Sequence, residues 1–270
     1  MLDDIFGFSF DLTPEEIVQY LRGKGLAVTF EWAELWQSAN NRAFTVSKMF
    51  QLDLLADVQA SLASAVENGE SFEQWKRKLR PELIQKGWWG EVQAKDAPGF
   101  DPANFPDQDG EEYIQLGSNR RMKTIFYTNR TVSYAQGRYK RLLENASARP
   151  FWMYITVGDE RTRKSHAALD GNVWRFDDPV WEKIFPPNDW GCRCSVRALN
   201  AQDMAAEGLK LSPPLPDSEI TKSVAKEWEY NAGASDLGLE SEFFAKLRDA
   251  DPKVQKLIIE EAVKARGGTA

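Results

Sequence analysis

Both cysteines of the chain, Cys192 and Cys194, lie in the segment PPNDWGCRC, which begins at Pro186. The single histidine, His166, precedes them along the chain. Two thiols and an imidazole are ligands that zinc prefers, while two thiols alone can form a redox pair or pack as small core groups. The segment is therefore a candidate metal site, a candidate redox pair, or a structural turn.

The metal interpretation depends on the alternation of the segment. In an extended strand, Cys192 and Cys194 point to one face and Arg193 to the other. One zinc ion can then bind both thiolates and His166, with water or a carboxylate as the fourth ligand. The carboxylate candidates are Asp159, Asp170, Asp177 and Asp178. Structural zinc sites usually have about two to four residues between their cysteines, so the C-x-C spacing leaves two outcomes open: a zinc cofactor, or none with reduced, buried thiols.

The sequence does not favour a disulfide between the two cysteines or a nucleophilic role for either of them. A disulfide across C-x-C closes a very short and strained ring, so we expect both thiols to be reduced. Cys192 and His166 are the residues of a conceivable nucleophile–base pair. However, the chain contains no phosphate-binding loop, dinucleotide fingerprint, HExxH or GxSxG motif. We therefore expect no enzyme and no catalytic residues.

A charged cluster lies between the histidine and the preceding apolar segment: Asp159, Arg161, Arg163, Lys164 and His166. It is either a solvated loop, a loop that contacts phosphate or DNA, or a loop locked by charge-assisted hydrogen bonds to Asp177 and Asp178. By the same reasoning, Arg193 is expected to pair with Asp159, Asp177 or Asp178.

The elements around these residues predict a small sheet. FWMYITV, residues 151–157, is aromatic and β-branched and predicts a strand. Residues 172–176 and 194–199 alternate and predict two more strands, the last pairing with one of the others. Residues 181–185 predict a helical turn, which Pro186-Pro187 ends.

The N-terminal half of the sequence shows the capping and spacing patterns of helices. A capping pattern at Thr13-Pro14 begins one that ends near Gly23, and a second begins at Trp32. Apolar spacing predicts another over 48–66, and Ser71 with Gln74 opens the next, which Pro81 should kink or break.

Longer elements follow. Residues 87–110 predict a packed, wrapping loop. The longest helix is expected over 118–145, with Asn129 and Gln136 bonding a neighbouring loop, and a last helix over 241–264.

Composition limits the function classes. The 270 residues include ten tryptophans and carry a net charge of −7, which argues against a surface that binds nucleic acid everywhere. Weak, non-specific and salt-sensitive DNA contact remains open at a local basic set: Arg120, Arg121, Lys123, Arg138, Lys140 and Arg141. No window approaches the ~20 apolar residues of a membrane span, and we expect a soluble protein made in the cytoplasm.

Residues 150–199 resemble the signature of the phage Mu F-like minor head protein family. The matching residues are Asp159, Arg161, Thr162, Arg163, His166, Leu169, Gly171, Pro186, Pro187, Asn188, Cys192, Arg193 and Cys194. The preceding helix, GWWG at 87–90, the N-terminal helices and WEYNAG at 228–233 also resemble members of that family.

The resemblance implies a minor capsid protein of a phage or prophage that acts in head morphogenesis. It implies association with the portal and other head proteins inside the procapsid, and departure with the DNA. It would be made in host cytoplasm and then lie inside the virion. We expect an α+β protein with a helical region at 1–110, the head morphogenesis domain at 111–205, and a C-terminal loop and helix at 206–270. The alternatives are an enzyme or effector acting around His166 and Cys192, and a DNA-binding protein of the packaged genome.

Overall fold

The computed structural model describes residues 14–31 and 43–234. Helices combine in these residues with small sheets whose longer pairings are antiparallel, so the predicted α+β class is confirmed. The chain separates into two compact units, the first ending at Ser133 and the second beginning at Tyr134. The three-part division at 110 and 205 stays a prediction. None of the described helices combines the length and apolar character that crossing a bilayer requires.

Helices of the first unit follow the predicted pattern. Helix α1 spans Pro14–Gly23, α2 spans Leu52–Glu67 and α3 spans Phe72–Gln85. The side chain of Ser71 accepts from the backbone of Gln74, whose side chain accepts from the backbone of Ser71, so the predicted cap is present. Two-residue strands β1, Gly25–Leu26, and β2, Ala43–Phe44, pair in parallel. The predicted helix from Trp32 lies outside the described residues.

Pro81 does not break its helix, which continues to Gln85. Proline removes the hydrogen bond to the carbonyl of Arg77. Both residues are exposed, so water can bond that carbonyl, while Leu79 and Leu83 are buried and hold the helix on the core. Buried packing on one face therefore outweighs the lost bond.

The segment at 87–110 is more ordered than the predicted loop. It contains strand β3, Glu91–Gln93, which pairs antiparallel with β4, Tyr113–Gln115. Phe100 and Phe105 stack 5.8 Å apart and pack on the core beside β3, as expected of a wrapping segment.

The longest helix, α4, spans Asn119–Glu144 and agrees with its prediction. Gln136 donates to the carbonyl of Ala232 in a neighbouring loop, as expected. Asn129 instead donates to Ile125 of its own helix, at 2.9 Å.

The second unit is built on a three-stranded antiparallel sheet. Strand β5, Phe151–Ile155, lies between β6, Val173–Arg175, and β7, Ser195–Leu199. All three predicted strands are present, and the last pairs with the first. Short helices follow the strands: α5, Lys164–Ala167; α6, Trp181–Ile184; α7, Ala201–Ala206; and α8, Asp217–Ser223. The predicted helix at 241–264 lies outside the described residues.

Candidate functional site

The predicted site residues lie in or beside two loops of the second unit. The first loop, residues 159–163, leads from β5 into α5, which carries His166. The second loop, residues 189–193, leads from α6 into β7. The strands hold the two loops in place, because β5 and β7 are direct neighbours in the sheet.

Two ion pairs join the loops, and each pair consists of an aspartate from one loop and an arginine from the other. Arg193 contacts both carboxylate oxygens of Asp159, with Nη1 to Oδ2 at 2.8 Å. Arg163 binds Asp189, with Nε to Oδ2 at 2.9 Å, and donates to the Trp190 carbonyl. Two such charge-assisted pairs fix the loops more firmly than one.

The prediction that the charged loop is hydrogen-bonded to Asp177 and Asp178 is wrong, and of the three aspartates predicted for Arg193, Asp159 is the partner. Asp177 pairs with Arg175, two residues away, and Asp178 caps the backbone of Val180. Both aspartates therefore bind groups within two residues of themselves, and neither binds Arg193. Asp189 is the partner of Arg163, and this pair was not predicted from the sequence. The only signal for Asp189 was its position inside PPNDWGCRC.

The sulfur atoms of both cysteines lie close to the same ring nitrogen of His166. The Sγ atoms of Cys192 and Cys194 lie 3.7 Å and 3.5 Å from Nδ1 of His166. His166 and Cys192 are 3% and 4% exposed. The predicted alternation holds, since both sulfurs face the imidazole while Arg193 reaches Asp159. However, the cysteines precede β7, which begins at Ser195.

The remaining motif residues shape the turns. Asn188 is fully buried and donates to the Tyr154 hydroxyl and the Ile184 carbonyl. It follows the buried Pro186-Pro187 pair, whose peptide bond is cis. Gly171 ends the turn after α5 with φ +75°, a conformation that favours glycine. Arg161 is largely exposed, and its Nε lies 3.6 Å from the Asp159 carboxylate.

The two thiols titrate as a pair. The pKa of Cys192 is lowered, because its sulfur is hydrogen-bonded by the Cys194 thiol, by His166, and by the backbone N–H groups of Asn188 and Cys194. The pKa of Cys194 is raised, because its proton is held by Cys192 and the site is buried. Burial and the nearby thiols raise the pKa of Tyr154, which sequence reasoning had assigned only to a strand.

The predicted basic set on α4 is only partly available to a ligand. Arg121 donates to the Leu116 carbonyl, and burial lowers its pKa to about 10. Arg138 donates to Ser195, and burial lowers its pKa as well. Arg120 and Lys123 are exposed.

We expect Asp159→Asn to lower the melting temperature at neutral pH by roughly 2 °C, because Arg193 loses a bidentate anionic partner. Arg193 holds the pKa of Asp159 below its usual range. The stabilisation is therefore present above the ordinary aspartate pKa of about 3.9 and is lost as the pH falls below it. Thermal melts from neutral to acidic pH should show the wild type converging on the variant. Arg161→Gln is the control and should change little. A difference between Asp159→Asn and wild type that stays constant into acid would contradict this account.

The chain was compared with known proteins. The family described as Phage Mu protein F like protein matches residues 56–197. The Mu-like prophage FluMu F protein of Haemophilus influenzae is 39% identical over 197 residues, covering 73% of this chain and 44% of that protein. The putative capsid assembly protein F of Escherichia phage Mu is 40% identical over 201 residues, covering 74% of this chain and 44% of that protein. The chain thus matches less than half the length of these relatives. No solved structure matches it.

Proposed function

Because the chain belongs to the family of phage Mu protein F-like proteins, we propose that it is a structural protein of phage head assembly, encoded by a phage or prophage. The observation that carries the proposal is the family match over residues 56–197. It is supported by the 40% identity to a protein named as a putative capsid assembly protein. Since more than half of that relative lies outside the match, the proposal concerns the part that the two chains share.

The geometry of the motif supports a structural role over a catalytic one. Asp159 and Arg163 are bound to Arg193 and Asp189 of the other loop. His166 and Cys192 are themselves buried. The charged side chains of the motif are engaged with each other, and the buried pair has little access to a substrate, since a catalytic group must come within hydrogen-bond reach of it.

We place the protein inside the procapsid, in contact with the portal and other head proteins. In this proposal it is made in host cytoplasm, enters the assembling head, and lies inside the virion until it leaves with the DNA.

The test is co-sedimentation of the purified chain with purified portal oligomers of the same phage. We expect the chain to migrate with the oligomer at micromolar concentrations, because specific assembly contacts of standard size bind in this range or tighter. Portal oligomers of an unrelated phage are the control. Free migration with the cognate portal, and absence of the chain from isolated procapsids, would overturn the proposal. Comparing filled heads with emptied ones tests departure with the DNA.

An enzyme or effector is the second candidate function. It is favoured by the 3.7 Å approach of the Cys192 sulfur to His166 and by the lowered pKa of that thiol. Burial of both groups opposes it, because a substrate would need to displace the residues that cover them. Activity that is lost in His166→Ala while head assembly continues would favour this candidate.

A further inference from the structure

We propose that His166, Cys192 and Cys194 bind one zinc ion. The inference does not depend on the proposed function, since a zinc-stabilised fold is compatible with either a structural or an enzymatic role. Among the described residues, these three form a group whose ligand atoms all lie within 4.8 Å of one another. Two thiolates and an imidazole are ligands that zinc prefers.

The distances between the ligand atoms fit a tetrahedral ion. With Zn–S near 2.3 Å and Zn–N near 2.0–2.1 Å, tetrahedral angles separate a sulfur from a nitrogen by about 3.6 Å. The two sulfur–Nδ1 distances are 3.7 Å and 3.5 Å. Both sulfur–nitrogen distances are therefore those expected for one ion bound by the two sulfurs and Nδ1.

Without an ion, the two thiols and the imidazole can only hydrogen-bond one another, with both sulfurs beside the same nitrogen of His166. That nitrogen has one lone pair when it carries no proton. A metal ion would instead bind the lone pair of Nδ1 and both sulfurs together, with the imidazole proton on Nε2.

The segment that carries both cysteines is held by the neighbouring loop. Arg193, which lies between the two cysteines, binds Asp159 of that loop. Both sulfurs lie within 3.7 Å of Nδ1 of His166, so a zinc ion would meet ligands that are already in position.

The fourth coordination position is not taken by the carboxylates that the sequence offered. Asp159 binds Arg193, Asp170 binds Thr156, and Asp177 binds Arg175. Asp178 caps a backbone N–H. A water molecule is then the fourth ligand. Asn188 lies four residues before Cys192, and its Oδ1 is buried without a hydrogen-bond partner in the described structure. Such an oxygen normally bonds to water or protein.

The first experiment measures zinc in the full chain, purified with a histidine-free tag and without chelator. We expect about one zinc per chain by elemental analysis. Cys192→Ser with Cys194→Ser, and separately His166→Gln, should lower the content to background. Asp170→Asn is the matched control, a nearby carboxylate that is not a ligand, and should keep the zinc. Background zinc in the wild type, or full zinc in the double-serine variant, would overturn the proposal.

Two further measurements separate ligand loss from misfolding, and both use the wild type. Chelation should lower its melting temperature, and added zinc should restore it. Cobalt(II) loaded in place of zinc should give thiolate-to-metal charge-transfer absorption together with the visible bands of tetrahedral cobalt. A melting temperature that chelator leaves unchanged, or cobalt bound without thiolate absorption, would contradict the site and leave the cysteines as packed thiols.

Discussion

Trp152→Ala is expected to lower the free energy of unfolding of the second unit by about 3–5 kcal/mol, which is the usual loss for deleting a buried tryptophan side chain. Trp152 lies on the central strand β5 and is fully buried. Its ring centroid is 5.7 Å from those of Tyr139 and Trp181, and both contacts are edge-on. The substitution would remove one partner from each contact and leave a cavity between the sheet and the helices that cover it.

Trp152→Phe provides the matched control. The indole Nε1 of Trp152 has no hydrogen-bond partner in the described structure, so phenylalanine removes a buried donor that contributes no bond. It keeps an aromatic ring, and we expect a smaller loss of about 1–2 kcal/mol. Hydrogen exchange of peptides from residues 134–234 in increasing urea measures the second unit by itself. Equal stability of the alanine and phenylalanine variants would contradict the packing described.

The sheet could be predicted from sequence because its strands carry their own signal. Residues 151–155 are rich in aromatic and β-branched residues, and the three central ones are all buried, while the sequence at 195–199 alternates polar and apolar residues. The pair β3–β4 was missed for the opposite reason. Each of its strands has three residues, which is too short to show a period, and both lie among proline, glycine and acidic residues.

The family and the residues of the candidate site could also be predicted, but their pairing could not. The resemblance on residues 150–199 is confirmed by the family match. Sequence left three aspartates as partners of Arg193, and the choice of Asp159 depends on how the two loops cross in space. Asp189 was missed because a single acidic residue in a turn carries no periodic signal. The burial of His166 likewise depends on tertiary packing, which its neighbours along the chain do not indicate.

The last described segment of the second unit, residues 228–234, contains a glycine that the sequence singled out only through the family resemblance. Gly233 belongs to WEYNAG, and Asn231 holds that segment by accepting from the backbone of Gly233 and Ala234 at 2.8 Å and 3.0 Å. The Asn231 amide also donates to the Trp181 carbonyl. The segment therefore lies directly against the core, where space for a side chain is limited.

Gly233→Ala is expected to lower the free energy of unfolding of the second unit by about 1–3 kcal/mol or more, through overpacking. A Cβ atom at this position would lie 2.4 Å from Cβ and 2.8 Å from Cγ of Tyr139, and 3.0 Å from a ring carbon of Phe185. Cβ of Tyr139 is attached to the backbone of α4, so rotation of the side chain cannot relieve the contact. Gly23→Ala is the control, since a Cβ there meets nothing within 4 Å and an added methyl at the exposed end of α1 should be neutral or slightly stabilising. Urea unfolding followed by hydrogen exchange measures each variant in its own unit. If Gly233→Ala proves as stable as wild type, the close approach of this segment to Tyr139 is wrong, and its glycine would need another explanation.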